Sequence, residues 1–397
     1  MKNVTIKNIA VSLVFCLFVF GFFFAALFHK PVKYSESERK ELAQFPEITW
    51  KSVLDKSAIQ GFDKYSAEQF PLREEFLSIY RWYRVNVVNP QVVQSVIQKG
   101  PTVNIVNGYA EADGYVAQIN TSLSAENVNS ITDKFNRVYD KYLKDGSGKV
   151  YYSVIPMKDY FFNEEHNTPV MSYSALLSLL DENLVGFEYI DIIPLLSLED
   201  YYKTDTHWSQ DKILAVRDKL LFEIGGADKL DGGYEANSHT GFEGAYFAYA
   251  PVKVAPDTIY YLSNDTIDGL VVKSFEFDNS GKLVESDISV YNESAIESKE
   301  PYDFFLHGVR PFVRIDNPSA TTDKEIIVFR DSFGASIAPL IAEGYSRVYL
   351  IDLRKITIDM LALLGEELPF EGRDVLFLYS AELLNALPNM NSHPFEK

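Results

Sequence analysis

The longest apolar run lies at the start of the chain. From Ile9 to Phe28 it reads IAVSLVFCLFVFGFFFAALF, 20 residues without a charge. About 20 apolar residues are what a helix needs to cross the hydrocarbon core of a bilayer. A helix packed on one side of a core keeps a polar face, and this run has none. A cleaved leader has a shorter apolar core, roughly 7–15 residues, and a small-x-small cleavage site. Only Ala25 and Ala26 form a small pair here. The run therefore predicts a retained, single-pass anchor. Lys2 and Lys7 precede it and Lys30 and Lys33 follow, so the charge asymmetry is weak; it favours a cytoplasmic N-terminus. Residues 31–397 are then expected outside the cytoplasm, tethered to the cell membrane.

After the anchor the pattern changes twice. Residues 31–120 are expected to form a helical and connecting segment. Phe76, Ile79, Tyr80, Tyr83 and Val87 recur at helical spacing, and Pro71 suits a first turn. Gly100, Pro101, Gly108 and Gly114, set among Val and Tyr, predict short strands and turns over 101–120. Residues 121–397 are expected to form an α/β domain. SITDKFNRVYDKYLKD has an apolar stripe and stops at Asp145-Gly146-Ser147-Gly148. KVYYSVIP, KEIIVFR, RVYLIDLR and DVLFLYS are short apolar runs without alternation, as strands covered on both faces are. DSFGASIAPLIAEG and ITIDMLALLGEEL lie between the last three. Strand-helix-strand-helix-strand predicts a parallel sheet with crossover helices. Residues from about 230 to 320 hold hairpin patterns such as FEFDNSGKLVESD and predict a β-rich insertion.

Charge narrows the partners. The chain has 37 Lys+Arg against 56 Asp+Glu, net −19, and a pI near 4.8. Without the first 30 residues the count is 34 basic against 56 acidic, net −22. A nucleic-acid binder carries a basic face, so none is expected as partner. Such a surface is also repelled by anionic headgroups and should stand off the bilayer. The single cysteine is Cys16, inside the apolar run. That excludes a disulfide within the chain and any cysteine nucleophile or cysteine metal site beyond the anchor.

Two local patterns carry chemistry. The first is Thr204-Asp205-Thr206-His207-Trp208-Ser209, followed by QDKILAVRDKLLFEI with Ile213, Val216, Leu220 and Leu221 on one face. Ser209 is an expected N-cap. Asp205 and His207, two apart in an extended turn, project to one side, so a carboxylate can orient an imidazole. The second is Phe329-Arg330-Asp331-Ser332-Phe333-Gly334. A strand that runs into a serine and then a helix follows the logic of a nucleophile elbow. The helix N-terminus favours an oxyanion there. Combined, they offer Ser332 as nucleophile, His207 as base and Asp205 as orienter. Taken alone, an Asp-x-His is more often a surface turn, and DSFG more often a simple cap. A metal site from Asp205, His207 and His239 lacks any His-x-His or His-Glu-x-x-His pair, so no metal is expected. His166, His307 and His393 read as ordinary residues.

TDTHWS followed far downstream by VFRDSFG resembles the DHHW proteins and the related alginate O-acetyltransferases, which have SGNH-hydrolase-like domains. ESERKELAQFP, EQFPLR (68–73), VIPMKDYFF (154–162), YDFFLHG (302–308), APLIAEGYSRVYLIDLR (338–354) and DVLFLYS (374–380) resemble that group's segments in the same order. The resemblance implies an SGNH-like sheet with permuted motif order and a triad of Asp205, His207 and Ser332. It also implies substrate binding by Arg354 and Tyr379, and by Lys158, whose ordinary alternative is a solvated loop lysine. Two departures stand out. Thr206 replaces one His of the name-giving motif, and Arg330 replaces the Gly of the usual Gly-Asp-Ser block. No equivalent of the SGNH oxyanion Gly and Asn is evident.

The resemblance implies a membrane-anchored O-acetyltransferase acting on a cell-surface polysaccharide through an acetyl-Ser intermediate. Acetyl-CoA is absent outside the cytoplasm, so a membrane-bound O-acyltransferase is the implied donor. No cofactor is expected, and the sequence has no Gly-rich nucleotide loop. The same triad would serve a carbohydrate acetylesterase. A non-catalytic glycan-binding or scaffold subunit is the remaining alternative.

Overall fold

In the computed structural model, residues 108–386 are described except for 228–229, 231–232, 251–252, 279–280 and 299. Before them, residues 15, 20–21, 24–25, 30–35, 40–50, 52, 56–73, 76, 103 and 105–106 are described. The chain divides into two units, Met1–Asn89 and Pro90–Lys397.

In the first unit, Tyr34–Ser35 and Lys40–Glu41 pair antiparallel, and Ser57–Glu68 is a helix. The buried Gln69 fastens them. Its Oε1 accepts the Val32 N–H (2.9 Å), and its Nε2 donates to the Val32 and Ala43 carbonyls (2.7 and 3.0 Å). No helix among the described residues is long and apolar enough to cross a membrane. The apolar run 9–28 lies outside them except for Phe15, Phe20, Gly21, Phe24 and Ala25. The helical pattern at Ile79, Tyr80, Tyr83 and Val87 lies outside them too.

The second unit is a mixed α/β fold around a central, mostly parallel sheet. Its strands are β1 (Val150–Ile155), β2 (Phe187–Tyr189), β3 (Val271–Phe277), β4 (Leu283–Ile288), β5 (Phe312–Asp316), β6 (Glu325–Arg330), β7 (Arg347–Ile351) and β8 (Asp374–Ser380). They lie in the order β4-β3-β5-β7-β6-β8-β1-β2. The pairs from β7 to β2 are parallel, and β4, β3 and β5 extend the sheet antiparallel beyond β7. β1 is buried at every position, β8 at all but its first. That explains the unbroken apolar runs, because helices cover both faces. Helices α1 (Ala125–Val138), α2 (Lys158–His166), α3 (Tyr173–Asn183), α4 (Leu214–Ile224) and α5 (Gly334–Ala342) supply the cover. Every residue of α5 is buried. Phe377 of β8 stacks on Phe329 of β6 at 4.5 Å and meets Phe135 of α1 at 4.8 Å.

Parallel strands present their carboxyl ends on one edge, where open α/β sheets bind ligands. Here that edge carries Pro156–Lys158 after β1, Ser332 after β6, Asp352–Arg354 after β7 and Ser380 itself. The stretch from about 230 to 320 is rich in strands, but its second half is part of the central sheet. β3 and β5 pair directly (Phe275 with Phe312), so the FEFDNSGKLVESD hairpin is a sheet edge. Glu235–Phe242 and Asp257–Ser263 form a separate two-stranded ribbon. The predicted ITIDMLALLGEEL helix is shorter than expected: Ile358–Leu361 is α-helical and Ala362–Glu367 tightens into 3₁₀ turns.

Candidate active site

The two sequence patterns meet in space. Ser332 Oγ lies 2.8 Å from His207 Nε2, across 125 residues of chain. His207 Nδ1 lies 2.5 Å from Asp205 Oδ1. Asp205 is fully buried, His207 is 7% exposed, and Ser332 is half-buried. The Ser332 end of the line is thus the end that a substrate can reach.

Two loops hold the three members. Tyr201 and Trp208 pair across the base of the Asp205 loop, the Tyr202 N–H donates to the His207 carbonyl (3.0 Å), and the Ser209 N–H to that of Asp200 (2.7 Å). Asp205 Oδ1 also accepts the His207 N–H (3.1 Å), while Oδ2 accepts the Ala245 N–H (2.7 Å). A carboxylate that accepts several N–H bonds is favoured in its ionised form. Trp208 is fully buried, and its indole N–H reaches the Phe333 carbonyl (3.2 Å) and Ser336 Oγ (3.0 Å). The indole thereby locks the His207 loop to the start of α5, next to Ser332. Gln210 adds a second tie, from Nε2 to the Ser336 carbonyl at 2.7 Å. Ser209 makes no capping bond. It precedes a 3₁₀ turn, Gln210–Lys212, and its hydroxyl faces Asp211 (2.5 Å); the helix starts only at Leu214. Polar contacts to Asp211 and α5 have overridden the local capping pattern.

Tyr302 forms the floor under the base. Its ring stacks on the His207 imidazole at 3.6 Å and 4°, and its hydroxyl donates to Ser336 Oγ (2.9 Å). Phe333 closes another side at 4.7 Å. The elbow is tied down by Asp331, whose Oδ1 accepts the Phe333 N–H (3.0 Å) and Oδ2 the Ser380 N–H (2.8 Å). The Gly334 N–H donates to the Asp331 carbonyl (3.1 Å). The Ser332 N–H makes none of these bonds. It remains available, among the described residues, to a developing oxyanion. Gly334 has no room for a side chain: a Cβ there would lie 2.6 Å from the Arg330 Cβ.

Thr206, where the family motif has histidine, receives the Tyr246 hydroxyl on its Oγ1 at 2.9 Å. Arg330 is fully buried; it donates to the Asp331 and Gly308 carbonyls (3.2 and 3.3 Å), and its Nε has no partner among the described residues. Arg354 grips Asp352 with two nitrogens, Nε to Oδ1 at 2.9 Å and the other to Oδ2 at 2.6 Å. Tyr379 is 1% exposed, stacked on Phe135, with a hydroxyl that lacks a partner among the described residues. Lys158 is not a solvated loop lysine. It opens α2 and is 2% exposed, and its amine bonds to backbone. His239 stacks on Tyr261 in the separate ribbon. Among the described residues, no group of three His, Cys, Asp or Glu could hold a metal ion.

Gly244 gives a direct test of the packing behind Asp205. A Cβ at Gly244 would lie 2.5 Å from the Asp205 Cα, Cβ and N. Gly244→Ala must therefore push the carboxylate off the imidazole. A misplacement of about 1 Å costs on the order of 10² in rate. We expect that loss in initial rates of acetyl-ester turnover, with a cooperative melt retained.

The sequence of residues 176–351 matches the family model described as DHHW protein. The resemblance read from TDTHWS and VFRDSFG is thereby shown. No curated protein matched the chain. Among solved structures, a DHHW family protein from Eubacterium siraeum is similar at 18% identity and a TM-score of 0.56, covering 72% of this chain and 95% of that one. PatB1 of Bacillus cereus is similar at 17% identity and a TM-score of 0.57, covering 70% and 97%. The O-acetyltransferase domain of Pseudomonas putida AlgJ gives a fainter likeness, at 11% identity and a TM-score of 0.42, covering 74% and 96%. At these identities the likeness is one of fold.

Proposed function

We propose that this chain, DHHW-like over residues 176–351, is an extracytoplasmic O-acetyltransferase that modifies a cell-surface polysaccharide on an SGNH-hydrolase-like scaffold. The observation that carries the reading is the continuous line from Ser332 Oγ through His207 to Asp205, at 2.8 and 2.5 Å. A serine hydroxyl is a weak nucleophile until a neighbouring base takes its proton. His207 Nε2 is placed to do so, with Nδ1 oriented by a carboxylate.

In the first half-reaction Ser332 Oγ attacks the acetyl carbonyl. Its proton moves to His207, and the tetrahedral oxyanion faces the Ser332 N–H. The intermediate collapses as His207 returns the proton to the departing oxygen, which leaves an acetyl ester on Ser332. In the second half-reaction His207 deprotonates a sugar hydroxyl that attacks this ester, and the serine is regenerated. Arg354, whose side chain is a quarter exposed, is our candidate for substrate contact at the same sheet edge, whereas Tyr379, expected beside it, is enclosed and cannot touch the substrate directly. The apolar run 9–28 would hold the enzyme at the membrane, where a membrane-bound O-acyltransferase would supply the acetyl group.

The test uses the full chain in detergent with 4-nitrophenyl acetate and a panel of cell-surface oligosaccharides. Transfer predicts faster release of 4-nitrophenol with the right sugar, and an acetylated sugar by mass spectrometry. Acetate as the only product, whatever the acceptor, would replace this reading with an acetylesterase on the same triad.

A further inference from the structure

Lys158 has no part in the steps above, yet it is a fully buried amine behind the triad. It sits at the carboxyl end of β1, as the first residue of α2. Its Nζ donates to the Tyr202 carbonyl (2.9 Å) and the Lys203 carbonyl (3.1 Å). These carbonyls belong to the backbone that leads into Asp205. The amine also lies 5.1 Å from the centre of the Tyr246 ring. An ammonium has three N–H donors and no acceptor. Two carbonyls take two of them, and the Tyr246 ring lies within cation–π range of the charged form.

The charged surroundings agree. Asp205 and Asp257 are the carboxylates that act on this amine. Asp257 is already engaged, with the Lys203 N–H at 2.9 Å and the Thr204 N–H and hydroxyl at 2.5 and 2.6 Å. Asp159, next along α2, accepts the Asn120 N–H at 2.9 Å. The Lys203 amine turns away, over the Tyr115 ring at 5.2 Å. Burial pulls the Lys158 amine down to about 7, and Asp205, then Asp257, act against that pull. An amine so enclosed cannot reach a substrate.

We propose that Lys158 is a positioning residue for the triad: its ammonium pins the backbone entering Asp205 and supplies the cation that keeps the Asp205 carboxylate ionised beneath His207. The inference rests on the acyl-transfer reading of Ser332 and His207. It goes beyond that reading by giving the Asp-His pair a buried counter-charge. A cation near an imidazole opposes its protonation. Removing the cation should therefore make the Asp205–His207 pair easier to protonate, and the acid limb of Ser332 reactivity should move to higher pH.

The test is a series of Lys158 variants in the full chain in detergent, each checked for a cooperative melt. Lys158→Gln keeps two N–H donors and loses the charge. Lys158→Met loses both, and Lys158→Arg keeps both. Ser332 is titrated with phenylmethylsulfonyl fluoride from pH 5 to pH 9 and read by intact mass. In that reaction the Oγ–sulfur bond forms, fluoride leaves, and His207 takes the hydroxyl proton. The downfield proton signal of the His207 Nδ1–H is followed over the same range. We expect Lys158→Gln to label about tenfold more slowly at pH 6, with its acid limb about one pH unit higher. Lys158→Arg should recover most of the loss. If Lys158→Met does not fold, the Gln and Arg variants carry the comparison. An acid limb and Nδ1–H titration unchanged in Lys158→Gln would overturn the proposal, and so would an equal loss at every pH that arginine fails to rescue. A wild-type chain that never labels would sink the acyl-transfer reading instead, and the Nδ1–H titration would still decide the role of Lys158.

Discussion

Ser332→Ala should leave the chain folded and remove roughly 10⁴- to 10⁶-fold of its acetyl turnover. The folding half of this expectation follows from the contacts. Ser332 Oγ is bonded to His207 Nε2 and to no other described group, whereas the elbow is held by Asp331 through the Phe333 and Ser380 N–H groups. Removing one half-exposed hydroxyl should therefore change stability by about 1 kcal/mol or less. The activity half follows because Ser332 Oγ is the only hydroxyl in the line, and His207 is placed to activate it. His207→Ala should cost a similar factor, and the double variant little more than either single one, since the residues act as a unit. Initial rates with 4-nitrophenyl acetate for the three variants, beside their melting curves, check both halves. A Ser332→Ala chain with wild-type turnover would mean that acetyl transfer happens elsewhere.

The second large effect is expected from Asp205→Asn, at roughly 10⁴-fold in turnover. The charge is only part of it. The two oxygens of Asp205 accept the His207 Nδ1–H, the His207 backbone N–H and the Ala245 N–H. An asparagine amide has one acceptor oxygen and an NH₂ group that only donates. Whichever way it turns, an N–H faces an N–H. If the NH₂ faces Nδ1, the imidazole is pushed into the wrong tautomer; if it faces Ala245, a buried donor is left unpaired, at a cost of about 1–3 kcal/mol. Asp205→Asn should thus lose activity and melt lower, in contrast to Ser332→Ala. Asp205→Glu should not rescue it, because one more methylene moves the carboxylate off the Nδ1–H and the Ala245 N–H that it now accepts. Equal stability with near-normal turnover in Asp205→Asn would show that the carboxylate does not orient the base.

The sequence showed the parts of this site that are local. An unbroken apolar strand that runs into DSFG predicts a serine at a strand end. An Asp-x-His turn predicts two side chains on one side. Their meeting could only be inferred, because no periodicity links positions 125 residues apart. The support around them was hidden for the same reason. Tyr302 lies under the imidazole and opens YDFFLHG, a segment noted only for its resemblance, while Ala245 donates to Asp205 from a stretch with no pattern of its own. Trp208 was visible as part of TDTHWS, but its tie to Ser336 was not. Lys158 read as a substrate-binding residue, with a solvated loop lysine as the ordinary alternative, because a lone lysine two residues after a proline looks polar and accessible. Its burial depends on carbonyls that arrive from the Asp205 loop. The edge hairpin β3–β4 was legible as a hairpin, but not as an extension of the central sheet. Register against β5 is set by pairing between segments that a single sequence does not couple.

The central claim is that acetyl passes through Ser332, and the most direct measurement is to catch it there. The full chain in detergent is mixed with 4-nitrophenyl acetate, quenched in acid at short times, and analysed by intact mass and peptide mapping. We predict one acetyl group per chain, on the peptide that carries Ser332, present in wild type, absent in Ser332→Ala, and discharged when a sugar acceptor is added. Acetyl found on another residue, or no acetyl on wild type under conditions where it turns over the ester, would contradict it.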